Sequence, residues 1–155
     1  GFADFVAWCE ARAIPVTVVS DGVDYFIQRV LRRHGLARLP VYSNQLVRHD
    51  DGALSLRQPW RSPACSAGSG VCKCAVARAI KEPMVFVGDG RSDQCVSHRA
   101  EQLFAKDKLA EYCRKNGLPF LSYATFDDVR AALADVRAAR ELGAGDAGEN
   151  LTITE

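Results

Sequence analysis

The stretch Val85-Phe86-Val87-Gly88-Asp89-Gly90-Arg91-Ser92-Asp93 sets the strongest limit on what this chain can fold into. A short apolar run of this kind reads as a buried parallel strand. It stops at a glycine-flanked acidic loop that leads into a helix. In open α/β sheets ligands sit just past the carboxyl ends of the strands. Asp89 and Asp93 therefore stand at the mouth of a candidate site. Two carboxylates suit Mg²⁺, which takes one or two of them together with substrate phosphate and water. The plainer alternative is a strand–turn–helix junction in which Asp93 helps to cap the helix.

The rest of the chain alternates in the same way. Phe2, Phe5, Val6, Cys9 and Ala13 recur at helical spacing over residues 2–13, and Ile14 to Val19 follows as a β-branched strand. That strand ends at Ser20-Asp21-Gly22. Val23, Phe26, Ile27, Val30 and Leu31 mark a helix that stops near Gly35. Tyr42 to Arg48 and Ala53 to Trp60 flank His49-Asp50-Asp51-Gly52, which predicts a β-hairpin over about residues 41–61. A Ser/Pro/Gly-rich loop, Arg61 to Gly70, precedes a helix from Cys74 to Lys81, and Met84 to Val87 is the next strand. A short helix is expected over Ser92 to Ala100, then a strand at Leu103 to Ala105. Asp107 is expected to cap a helix running to Asn116, with Gly117 past its end and a brief extended piece at Leu118 to Leu121. Thr125 to Asp128 resembles a capping box that opens a last helix, residues 126–142. Gly143 to Gly148 reads as a linker, and Leu151 to Thr154 as a terminal strand or a loose tail. The expected organisation is an α/β core over residues 1–142 and a flexible tail over 143–155, with a parallel sheet covered by helices on both faces.

Bulk properties narrow the function classes. The 155 residues are 48% hydrophobic, enough for one domain with a sizeable core. A net charge of +1 gives no global field for nucleic acid or for a membrane surface. No apolar run is long enough for a membrane span, and no secretory leader is visible. The six cysteines are unevenly placed, and an α/β core does not need stapling, so a reduced, cytoplasmic protein is expected. The chain begins at Gly1 and its single methionine is Met84. The native start of translation is therefore expected to lie upstream.

Three strand or helix ends carry groups that suit phosphoryl chemistry. A phosphate needs hydroxyl and backbone N–H donors, ideally at a helix start. The transition state needs a cation, and a carboxylate-held metal offsets the remaining charge. Ser20, followed by Asp21-Gly22, answers the first need, Lys73 the second, and Asp89 with Asp93 the third. Each also has a bland reading: Ser20 as a helix cap, Lys73 as a solvated cation, Asp93 as a structural carboxylate.

Val18-Val19-Ser20-Asp21-Gly22, Cys72-Lys73 and Val87-Gly88-Asp89-Gly90-Arg91-Ser92-Asp93 resemble motifs II, III and IV of the haloacid dehalogenase superfamily. The nearest likeness is to its phosphoserine-phosphatase-like branch, which includes methionine-salvage and phosphoethanolamine/phosphocholine phosphatases. Val41 to Asn44, Leu103 to Asp107 and the Cys-rich lead-in to Lys73 share that likeness, which covers roughly residues 1–135. The resemblance implies a three-layer, Rossmann-like core and Mg²⁺-dependent hydrolysis of a small phosphomonoester through an aspartyl-phosphate. It implies that Ser20 holds the phosphate, helped by the N–H groups of Asp21 and Gly22. Lys73 would bridge phosphate and nucleophile, and Asp89 would ligate Mg²⁺. Asp93 would ligate through water or orient its neighbours. One motif is missing. The family's attacking aspartate lies in an Asp-x-Asp loop after a central strand, and this chain contains no Asp-x-Asp. The helical cap that follows that loop is missing too. The nucleophile is then expected from a segment outside this chain. The alternative is a non-catalytic, phosphatase-like module that binds a phosphate ligand or a protein. Loss of the central strand would leave a gap between the strands ending at Ser20 and Asp89, which Leu151 to Thr154 is one candidate to fill.

Cys65, Cys72 and Cys74, with Cys95 or His98 as a fourth group, leave three readings open: a zinc site, a local disulfide or free thiols. A cysteine-rich redox or zinc module is accordingly a third reading of the chain. Cys9 and Cys113 are expected in the core, His34 near a helix end, His49 in a solvated turn and Trp60 in packing.

Overall fold

Runs of Val, Phe and Leu form the strands here because β-branched and aromatic side chains fit a pleated, buried surface. The computed structural model describes residues 1–80, 83–143 and 150–153, with side chains through residue 135. Among the described residues, strands β1 (Val16–Val23), β2 (Val41–Arg48), β3 (Leu54–Arg57), β4 (Met84–Gly88), β5 (Gln102–Ala105), β6 (Leu121–Ser122) and β7 (Asn150–Ile153) are interspersed with five α-helices. These are α1 (Phe2–Glu10), α2 (Asp24–Arg33), α3 (Lys73–Ala79), α4 (Asp107–Asn116) and α5 (Phe126–Gly143). The sheet order is β3-β2-β1-β7-β4-β5-β6. Every neighbouring pair is parallel except the β2–β3 hairpin.

Alternation along the strands builds a core on each face of the sheet. Val16, Val18, Val85, Val87 and Phe104 face α1, α2 and α5 through Phe5, Val6, Leu31, Val129 and Leu133. Met84, Phe86, Leu103 and Ala105 face α3 and α4 through Ala77, Leu109, Ala110 and Cys113. Strand β4 is buried along its whole length. The fold is the expected three-layer α/β core with a hairpin insertion.

Several elements differ from their sequence-based outlines. Strand β1 runs on through Asp21 and Gly22, because an irregularity after Val19 lets Val23 pair with Asn44. Lys73 opens α3 rather than preceding it. The helix expected over Ser92 to Ala100 is two 3₁₀ turns, Arg91–Asp93 and Ser97–Arg99. Asp93 turns its carboxylate back onto the N–H groups of Asp89 and Gly90, competing with a regular helix. Lys106, not Asp107, holds the N-cap position of α4. Asp107 itself has a positive φ of 46°. The hairpin turns through Gly52 at φ 84°, and its second strand is shorter than expected. The apolar residues assigned to α2 do not all turn inward: Phe26 is 63% and Val30 55% exposed, while Leu31 is buried. Half of the expected capping box forms: the Asp128 carboxylate accepts from the N–H groups of Ala124 and Thr125 at 2.9 and 2.8 Å, while the Asp128 N–H bonds the Thr125 carbonyl rather than its hydroxyl.

Strand β7 settles between β1 and β4. Val16, Thr17 and Val18 pair with Leu151, Thr152 and Ile153, and Val85 to Val87 pair with the same three residues from the other side. The chain's own Asn150–Ile153 thus fill the gap expected there, and these four residues are strand rather than tail. Residues 144–149 and 154–155 of the expected tail lie outside the described residues, as does the expected helix end at Lys81.

Candidate functional site

Register places the site. Ile153 of β7 pairs with both Val18 and Val87. Ser20 and Asp89 each lie two residues further on, at one level of the carboxyl edge. With β7 between them, β1 and β4 are about 10 Å apart, twice the spacing of neighbouring strands. Helix α3 leads into β4 of a parallel sheet, so its N-terminus, with Lys73, opens at the same edge.

Lys73 is 3% exposed and its ammonium contacts Asp93 Oδ1 in a buried ion pair. Asp93 is 2% exposed. Its other oxygen accepts from Asp89 N–H at 2.9 Å and Gly90 N–H at 2.8 Å. Asp93 is therefore fully engaged. It ties Lys73 to the acidic loop. Gly88 is required by this packing: a Cβ there would meet Asp93 Oδ2 at 2.7 Å and Phe86 Cε1 at 2.8 Å. Asp89 is exposed, while its carbonyl accepts from Leu109 N–H at 3.0 Å, tying the loop to α4. Its carboxylate is a hard oxygen donor at the open edge, the chemistry Mg²⁺ selects.

Ser20 is buried, and its Oγ accepts from Gly22 N–H at 3.1 Å. That N–H, expected to face a phosphate, is engaged with the hydroxyl. The Asp21 carboxylate accepts from Val71 N–H at 2.9 Å, which ties the end of β1 to the chain two residues before Lys73. The three motifs thus form one continuous network: β1 to the α3 lead-in through Asp21, and α3 to the acidic loop through Lys73 and Asp93.

Sequence reasoning missed Asn44 as part of this network. Its Nδ2 donates to the Asp21 carbonyl at 2.6 Å, and its buried Oδ1 has no hydrogen-bond partner among the described residues. A polar pair, Ser43-Asn44, inside a strand-like run was the available signal; both are buried. Trp60 packs edge-on against Tyr42, with ring centroids 4.8 Å apart. His49 bonds Ser55 at 2.8 Å in the hairpin. His34 follows α2 at its C-terminus. Cys9 is buried in the core, and desolvation pushes its thiol up to about 12. Burial raises the Cys113 thiol as well. Among the described residues no helix is long and apolar enough to cross a membrane.

Comparison with known proteins agrees with this geometry. The chain is 34% identical over 140 residues to a 2-hydroxy-3-keto-5-methylthiopentenyl-1-phosphate phosphatase of Geobacillus kaustophilus, covering 86% of this chain and 61% of the relative. Proteins of the same name from Brevibacillus brevis and Geobacillus thermodenitrificans are 29% and 31% identical, covering 88% and 83% of this chain and 63% and 60% of theirs. The chain therefore spans about three fifths of the length of these curated relatives. Residues 1–98, which hold Ser20, Lys73, Asp89 and Asp93, match the family described as haloacid dehalogenase-like hydrolase. With its motif residues joined at the carboxyl edge of a parallel sheet, this chain belongs to the haloacid dehalogenase-like hydrolase family.

Proposed function

We propose that the whole protein is a Mg²⁺-dependent phosphatase acting on a small phosphomonoester, of the methylthiopentenyl-phosphate type that its relatives are named for. The observation that carries this reading is the network joining Ser20, Lys73 and Asp89 through Asp21 and Asp93. In it Ser20 offers a hydroxyl to a phosphate oxygen. Lys73 has three N–H donors. Asp93 takes one and fixes the ammonium's position, leaving two N–H donors for oxygens of the phosphoryl group as charge develops on them. Asp89, with carboxylates from outside this chain, would hold Mg²⁺, which supplies charge neutralisation and orientation of the ester. The nucleophilic aspartate would come from a segment that this chain does not include, and the free cysteines fit a cytoplasmic setting.

The test is turnover of p-nitrophenyl phosphate and of 2-hydroxy-3-keto-5-methylthiopentenyl-1-phosphate by the full-length gene product and by the 155-residue chain, with and without Mg²⁺. Loss of a metal-held charge is worth several kcal/mol. Asp89→Asn should therefore lower kcat/KM in the longer protein by about 100-fold or more. Undiminished turnover in that variant sinks the assignment of Asp89.

A second reading has one specific observation behind it. Strand β7 occupies the slot that the resemblance gives to the strand carrying the nucleophile. A non-catalytic module that binds phosphate through Ser20 and Lys73 fits that arrangement. Phosphate binding without turnover in the full-length product would favour it.

A further inference from the structure

Four of the six cysteines, none of them used by the phosphatase reading, converge. Cys65 lies in the turn-rich loop before α3, Cys72 at the N-cap of α3, Cys74 in its first turn, and Cys95 just after the 3₁₀ turn that holds Asp93. Their four Sγ atoms lie within 4.8 Å of one another. Cys72 and Cys74 are 1% and 7% exposed, and their sulfurs are 3.2 Å apart. A tetrahedral Zn²⁺ with Zn–S bonds of about 2.3 Å needs S···S separations of about 3.8 Å. The cluster is already close to that figure, and small rotamer adjustments would complete it.

We propose that Cys65, Cys72, Cys74 and Cys95 bind one structural Zn²⁺. Four sulfur ligands select a soft or borderline metal and leave no open position, the mark of a structural rather than a catalytic site. Binding converts four thiols to thiolates and releases four protons to solvent; no bond is oxidised or reduced. The zinc and four thiolates together carry a charge of −2. Arg78 Nη2 lies 3.6 Å from Cys74 Sγ and offsets part of it. Cys95 rather than His98 is the fourth ligand: among the described residues the ligand atoms that lie within 4.8 Å of one another are those of Cys65, Cys72, Cys74 and Cys95, and neither ring nitrogen of His98 joins them.

The consequence reaches the other site. Cys72 and Cys74 flank Lys73, and Cys95 lies two residues past Asp93. One ion would staple the loop of Cys65 to the two segments that hold the buried Lys73–Asp93 pair, the start of α3 and the turn of Asp93. This inference stands apart from the phosphatase reading, since a non-catalytic module would need the same staple.

The experiment is metal analysis of the intact chain purified under reducing conditions, followed by titration of the demetallated protein with Zn²⁺ or Co²⁺. One equivalent of zinc per chain is expected. The Co²⁺ form should show an intense d–d absorption of tetrahedral thiolate ligation with sulfur-to-cobalt charge-transfer bands. Cys95→Ser should hold well under one equivalent, while His98→Ala should hold a full one. Removing zinc with a chelator should lower the Tm, and adding it back should restore it. Reduced protein that neither carries nor takes up an equivalent of zinc overturns the proposal. So does iron in its place, an intact mass lower by two hydrogens from a Cys72–Cys74 disulfide, or zinc retained in full by Cys95→Ser. The cobalt spectrum needs no variant, so a Cys95→Ser protein that fails to fold does not block the test.

Discussion

Removing either partner of the Lys73–Asp93 pair should unfold much of the site. The two side chains are 3% and 2% exposed, so neither finds water when the other is lost. Breaking a buried pair in this way costs about 3–5 kcal/mol, because it leaves an uncompensated buried charge. Asp93→Asn strands the ammonium but keeps an oxygen for the N–H groups of Asp89 and Gly90. The cost should fall at about 3–5 kcal/mol. Lys73→Met strands a carboxylate that still accepts two backbone N–H bonds, so its cost should sit at the lower end, about 3 kcal/mol. Combining the two substitutions leaves no buried charge. The double variant should recover at least about 2 kcal/mol relative to the sum of the singles. Urea unfolding followed by circular dichroism reads these differences. With a slope of about 1–3 kcal/mol per molar urea, a 3 kcal/mol loss moves the midpoint down by about 1–3 M. Single variants costing under about 1 kcal/mol, or a strictly additive double, would match an exposed pair instead and refute the reasoning.

Three further outcomes follow from the geometry. Gly88→Ala should displace Asp93, since its Cβ would meet Oδ2 at 2.7 Å; a loss of about 1–3 kcal/mol by thermal melting is expected, and an unchanged Tm would show that the loop yields freely. The Asp128 carboxyl is held below its ordinary range by N–H groups of Thr125 and Ala124. Its stabilisation should therefore be complete above about pH 3.9, the unfolded value, and fade as pH falls through the lower folded value. The stability gap between wild type and Asp128→Asn should thus close in acid, and a gap constant to the acid limit contradicts the cap. Cys9, with its thiol pushed up to about 12 by burial, should resist iodoacetamide at pH 8 in the native protein and react once urea unfolds it. Peptide mass mapping checks this, and rapid native labelling would place Cys9 at the surface.

Local chemistry makes much of this protein legible in its sequence. Apolar runs bounded by Gly, Pro and Asp mark β1, β4 and β5, because a strand buried on both faces needs continuous hydrophobic residues. Ser20 and Asp89 could be singled out because an apolar run stops at each, and Lys73 because a helix starts there. The Thr125–Asp128 cap was readable for the same reason: its partners are three residues apart. The α2 helix was less legible. Its periodicity is real, yet Phe26 and Val30 face outward, and periodicity alone does not say which apolar stripe a neighbour will cover.

What the sequence by itself determined is the alternation of strands and helices and the kinds of group offered at their ends. These depend on side-chain period and backbone preference within a few residues. Tertiary structure alone decided three other things. It placed β7 between β1 and β4, a non-local pairing in which Asn150–Ile153 meet the backbone groups on both sides of the gap. It divided two similar carboxylates, engaging Asp93 with Lys73 and two N–H groups while leaving Asp89 at the open edge. And it chose Cys95 over His98 to complete the thiol cluster. In each case the outcome rests on which segments, distant in sequence, are brought within hydrogen-bond or ligand distance, and no local pattern carries that information.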